Sequence, residues 1–141
     1  MESDRAATRW LQLGLLIAPS LPLLAMLALE VQFGGTQHFF LHTLTGWDIG
    51  LIALMAATYF GSPWRPLDGF VLLVFALWAQ LPDILYITGI YHRDWMDIFL
   101  FHIALDEIIA ISLPALAVLW VVLIVSYMYF RLDDVLQVPP G

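Results

Sequence analysis

Apolar runs follow one another along most of this chain, and its polar positions fall into short gaps between them or into a few isolated places inside them. The hydrocarbon core of a bilayer is about 30 Å thick and takes about 20 apolar helical residues to cross. On that ruler the pattern predicts a first span over about 10–29, with Pro19 and Pro22 kinking it. A second is expected over about 38–60, ending at "GSPWRP", and a third over about 66–90. Residues 98–130 are almost continuously apolar, too long for one crossing at about 1.5 Å per residue, and Pro114 falls in their middle. Either one kinked helix covers about 95–131, or the run divides near "ISLPA" and makes five spans. No Gly or Asn marks a turn there, which favours the single helix. The expected fold is an all-α, polytopic transmembrane helix bundle, with 1–141 forming a single domain.

Composition narrows the classes further. Of 141 residues, 62% are hydrophobic and only 12% charged, where a soluble domain carries roughly a quarter charged residues. With no cysteine, disulfides, iron–sulfur clusters and thiolate metal sites are excluded, so any metal must be held by His, Asp or Glu. Twelve acids stand against five arginines and no lysine, which excludes basic-patch binding to nucleic acid. The apolar stretch after "MESDRAATRW" is longer than a signal-peptide core and lacks a small-x-small cleavage site, so it reads as a retained span. With four spans and both termini cytoplasmic, Arg5, Arg9, Arg65 and Arg131 lie inside and only Arg93 outside, as the positive-inside rule prefers. Five spans would move Arg131 outside and weaken that bias.

The isolated polar residues carry the functional argument. Placed on helices of these lengths, His42 lies roughly 6 Å below one membrane boundary, and Asp83 and His102 about 10 Å below the same one. Asp106 falls a turn deeper, His92 hangs over the spot from the connection, and Glu30 ends the first span nearby. His38 and His42 share a helix face, as do His102 and Asp106. A His-x-x-x-Asp pair on one face can give two ligands to a metal, or a ligand and the acceptor that orients it. Intramembrane ionisable residues normally face a bundle interior or a wet cavity. Plainer roles also fit some of them. A lone membrane His is often a helix-to-helix hydrogen bond, and His38 and His92 suit the interface. Asp94 and Asp97 suit a loop or a helix cap, and Gly46 and Gly50 suit close helix packing.

Four motifs resemble a known family. "HTLTGWDIGL" (42–51) is similar to the His-x-x-x-Gly-x-x-x-Gly helix of small bacterial and archaeal proteins described as membrane-bound metal-dependent hydrolases. "LPD" (81–83) resembles their Leu-Pro-Asp motif, "HR" (92–93) the start of their His-Arg-Gly-x-Thr-His-Ser segment, and "HIALD" (102–106) their His-x-x-x-Asp helix. The order matches over about 38–110. The chain departs from the family at "ILY" (84–86), where a second acid and a His are usual, and at "DWMD" (94–97), which lacks the expected His. The resemblance implies a prokaryotic inner-membrane protein with a divalent metal, zinc above others, on His42, Asp83, His92, His102 and Asp106.

The leading expectation is therefore a metal-dependent hydrolase acting near the membrane surface. His42, Asp83 and His102 would be ligands, with Asp106 a fourth ligand or the acceptor for His102. Glu107, Asp97 or His92 would serve as general base, and the depth of the site suits a lipid ester or phosphoester. Two alternatives stand beside it. A haem-binding or other non-catalytic subunit would use His42 and His102 as axial ligands. A small proton- or cation-coupled transporter or accessory protein would use Asp83, His102 and Asp106, and four spans would then require a homo-oligomer.

Overall fold

A computed structural model describes residues 2–33, 35–61, 67–100, 102 and 109–136. Every helix or turn in them belongs to one architecture, a bundle of α1 (Glu2–Phe33), α2 (Thr36–Tyr59), α3 (Asp68–Ile87) and α4 (Ile109–Leu136), with a short 3-10 helix at Asp94–Ile98. No strand occurs among the described residues. Four segments are long and apolar enough to cross a membrane: Leu13–Phe33, Thr36–Tyr59, Asp68–Ile87 and Leu113–Phe130. Pro19 and Pro22 sit inside continuous helix in α1, as Pro114 does in α4.

In lipid, polar side chains must find partners within the protein. Ser20, Thr45, Thr58 and Ser126 each donate to the carbonyl one turn earlier, at Leu16, Leu41, Leu54 and Val122, over 2.7–2.9 Å. These hydroxyls therefore need no partner from a neighbouring helix.

The seam between α2 and α3 sets the register of the bundle. On one face of α2, positions 38, 42, 46 and 50 recur every four residues as His, His, Gly, Gly. At Gly46 a Cβ would lie 2.5 Å from the carbonyl oxygen of Phe75 and 2.6 Å from Cα of Ala76, so the two backbones touch there. Gly50 extends the contact toward Leu72 and Phe75, the small-residue packing that replaces hydrophobic drive inside a bilayer. Higher on the seam, the Gln80 amide donates to the carbonyl of Phe39 at 2.8 Å and to Thr43 Oγ1 at 3.1 Å. Close packing at the glycines and a polar tie at Gln80 leave Asp83, one turn on, facing His38 and His42.

Helix α4 lies against α2, with Trp47 and Trp120 ring centroids 6.0 Å apart. A hydrogen bond from Tyr127 to Asp68 joins it to α3. Its span presents no buried residue, and Val118, Val121, Val122, Val125 and Met128 all point outward. Such a face suits lipid. Helix α1 lies against α3 and α2.

The connection from α3 to α4 differs from the helix expected to begin near Trp95. Helix α3 ends in a Schellman turn: Ile90 N–H reaches the carbonyl of Leu85 at 3.1 Å, Gly89 N–H that of Tyr86 at 2.9 Å, and Gly89 takes φ +94°. The chain then runs extended to the 3-10 helix, where Met96 is fully buried and Phe99 nearly so. Phe99 packs on Trp78 with centroids 5.2 Å apart, and Trp78 Nε1 donates to the carbonyl of Ile98. Leu100 adopts φ +59°, a left-handed conformation that costs a branched residue about 1 kcal/mol. Burial of Met96 inside the 3-10 helix and of Phe99 at its end holds this turn, and His102 follows it into the bundle.

Candidate metal centre

Four elements meet at one end of the bundle. The turn between α1 and α2 is closed by Gly35 N–H on the carbonyl of Glu30 at 2.7 Å. A Cβ at Gly35 would fall 1.7 Å from Glu30 Oε2, so only glycine leaves room for that carboxylate. Glu30 Oε1 thereby comes within 3.5 Å of His38 Nδ1. His38 turns its other nitrogen inward, 3.3 Å from His42 Nε2 and 3.9 Å from Asp83 Oδ1. His102 arrives from the connection with Nε2 at 3.3 Å from the same oxygen. One donor atom from each of His38, His42, Asp83 and His102 lies within 4.8 Å of all the others. His42 and His102 are 0% exposed and Asp83 5%.

These spacings fit a metal. Ligand distances of about 2.0–2.1 Å in a tetrahedral site put neighbouring donor atoms roughly 3.3–3.5 Å apart. Two of the observed separations are 3.3 Å and a third is 3.9 Å. The donor set, three imidazoles and one carboxylate, could hold a metal ion. Outer partners fit as well. His102 Nδ1 faces the carbonyl of Ala79 at 3.3 Å, and because a carbonyl only accepts, Nδ1 carries the proton. Nε2 then meets Asp83 either through a second proton or through a shared cation. Ligating histidines are typically held this way, the remote nitrogen donating to a carbonyl or carboxylate, and Glu30 stands in the same relation to His38.

The residues expected to form the site divide into four groups. His42, Asp83 and His102 converge. His92 lies beside them at the rim, its Nε2 3.5 Å from Asp83 Oδ1 and its ring against Tyr86. Asp97 sits in the 3-10 helix next to the buried Met96. Asp106 and Glu107 lie outside the described residues. His38, read from the sequence as interfacial, joins the cluster. Its four-residue spacing from His42 was the available signal, and the tight Gly35 turn, which starts α2 at Thr36, brings it inside.

Two further features bear on the alternatives. The His42 and His102 rings stack with centroids 3.9 Å apart and planes 22° apart. Rings in van der Waals contact leave no space for a porphyrin between them, so this arrangement does not make them an axial pair. Asp48 lies deeper in α2, 2% exposed, with no hydrogen bond to either carboxylate oxygen, and takes no part in the cluster. No protein-family model, no curated protein and no solved structure matches this chain, so its chemistry is read from the four converging donors and from the motifs that hold them.

Proposed function

We propose that this protein is an integral membrane hydrolase whose divalent metal is held by His38, His42, Asp83 and His102 near one surface of the bilayer. The observation that carries the reading is the convergence of one donor atom from each of these residues within 4.8 Å, in a part of the chain where isolated ionisable groups are costly. The resemblance of the surrounding motifs to membrane-bound metal-dependent hydrolases supports it. A divalent ion bound there would supply Lewis acidity, acidifying water and polarising the scissile group.

The protein's own groups do the rest. His38, His42 and His102 stay neutral to donate lone pairs, and Asp83 contributes negative charge at the centre. Glu30 and the Ala79 carbonyl fix the orientation of two imidazoles. His92 is partly exposed at the rim and within reach of the cluster, and it is the general base that takes the proton from the attacking water and returns it to the leaving group.

The test is elemental analysis of protein purified without chelator, beside His102→Ala. About one divalent ion per wild-type chain is expected, with a loss of at least tenfold in the variant. Equal metal content in the two proteins would sink the assignment. A second reading is favoured by one observation: His38, His92 and His102 all approach the single oxygen Asp83 Oδ1, as in a proton relay. That reading predicts Asp83-dependent proton flux in liposomes by metal-free protein.

A further inference from the structure

Beside the cluster, a groove of about 530 Å³ opens between the ends of α1 and α3. Its walls are Leu29, Phe33, Tyr86, Ile87 and Tyr91, and Glu30 is the one acidic or basic residue among the described lining. The volume lies within the roughly 300–1,000 Å³ of small-molecule sites. We propose that this groove binds the hydrocarbon chain of a neutral lipid ester and presents the ester carbonyl to the cluster; the hydrolytic step rests on the metal reading above.

Three observations point to that occupant. First, Leu29, Phe33, Tyr86 and Ile87 belong to the ends of two segments long and apolar enough to cross a membrane, Leu13–Phe33 and Asp68–Ile87, and Tyr91 to the connection that follows. Phe33, Tyr86, Ile87 and Tyr91 are all exposed. A chain dissolved in the bilayer can reach these exposed walls from the side. Second, the polar end of the groove is continuous with the metal centre. Glu30 lines the groove and touches His38 at 3.5 Å. Tyr86 lines it and packs on His92, which in turn lies 3.5 Å from Asp83. A chain lying between Leu29 and Ile87 places its head group beside these residues. Third, the charge there is acidic. Glu30 stands at the polar end, next to the cluster that holds Asp83, and no Arg is among the described lining residues. A phosphate head group is recognised by Arg or Lys, which the described lining does not offer, whereas an uncharged ester needs neither.

The step balances as an ordinary hydrolysis. The oxygen of water bonds to the acyl carbon, the acyl C–O bond breaks, and the proton removed from water passes through His92 to the leaving alkoxide. A carboxylic acid and an alcohol result, and no oxidant or reductant is needed.

The probe is a monoacylglycerol with a photoactivatable sixteen-carbon chain, added to the full-length protein in phosphatidylcholine vesicles. Crosslinks mapped by mass spectrometry are expected in 29–33 and 86–91, with Ile87→Trp lowering their yield at least tenfold at unchanged metal content. Labelling confined to the outer face of α4, or undiminished in a metal-replete Ile87→Trp, would overturn the groove. If Ile87→Trp fails to hold metal, the wild-type map still decides. Hydrolysis is then compared between monoacylglycerols of two and sixteen carbons and the matching lysophosphatidic acid. At least tenfold preference for the long neutral ester supports the assignment, and equal rates or preference for the phosphate overturn it. Crosslinking needs no metal, so a metal-free protein that still labels at the groove would refute the hydrolase and leave the chain site standing.

Discussion

At the scale of single residues, the cluster shows how a carboxylate outside the donor set can govern it. Glu30 is not one of the four donors, yet it sits 3.5 Å from His38 Nδ1, on the outer side of that imidazole. Removing such an outer partner typically weakens metal binding by about 10–100-fold. Glu30→Gln keeps the shape and an acceptor oxygen and loses the charge, so a decrease toward the lower end of that range is expected in chelator competition. Unchanged affinity would show that Glu30 is a neighbour without influence. Much of this cluster was legible in the sequence. Depth arithmetic is enough to bring His42 and Asp83 to one level, because each lies at a countable distance from the end of a helix that forms; His102 was counted along a helix begun near Trp95, and it reaches the same level from the connection instead. His38 escaped that arithmetic because its place depends on where α2 begins, and this follows from the contact of Gly35 with Glu30, which periodicity does not encode.

At the scale of elements, the face of α2 carrying His38, His42, Gly46 and Gly50 has a division of labour. Its glycines bring α3 close, and its histidines occupy the end where α3 presents Asp83. The two glycines are unequal. A Cβ at Gly46 meets the backbone of Phe75 and Ala76 at 2.5–2.8 Å, which cannot yield without the helices separating. At Gly50 the nearest atom is Cδ2 of Leu72 at 3.0 Å, the end of a flexible side chain. Gly46→Ala is therefore expected to destabilise the bundle by about 1–3 kcal/mol and to lower metal affinity with it, since the same register aligns Asp83. Gly50→Ala should cost less than about half as much. Denaturant titration in mixed micelles checks the pair, and equal effects would show that the seam is looser than this geometry requires. The connection after α3 was the least legible element. A run of apolar residues does not distinguish a lipid-facing helix from a tucked turn, and the 3-10 segment at 94–98 exists because Met96 and Phe99 bury themselves around it. That burial is a tertiary event, and hydropathy reads only the apolar character it shares with a span.

At the scale of the whole molecule, the cluster gives one end of the bundle a chemical identity, and charge predicts which membrane face that end occupies. Relative to the four spans, Arg5, Arg9 and Arg131 belong to the end opposite the cluster, and among the described residues only Arg93 to the cluster's end. Arginine in short loops is retained on the cytoplasmic side, so the metal centre and its groove are expected in the outer leaflet. The chain has no cysteine of its own, and a single introduced thiol can therefore report its side without background. Asp94 is exposed beside the cluster, and Phe60, 83% exposed, ends α2 at the opposite pole. In intact bacterial cells a membrane-impermeant maleimide should label Asp94→Cys, and it should label Phe60→Cys only after permeabilisation. The reverse pattern would put the cluster on the cytoplasmic leaflet and the substrate pool with it. A hydrolase at the outer surface meets lipid esters after their export across the bilayer, whereas one at the inner surface meets them where they are made.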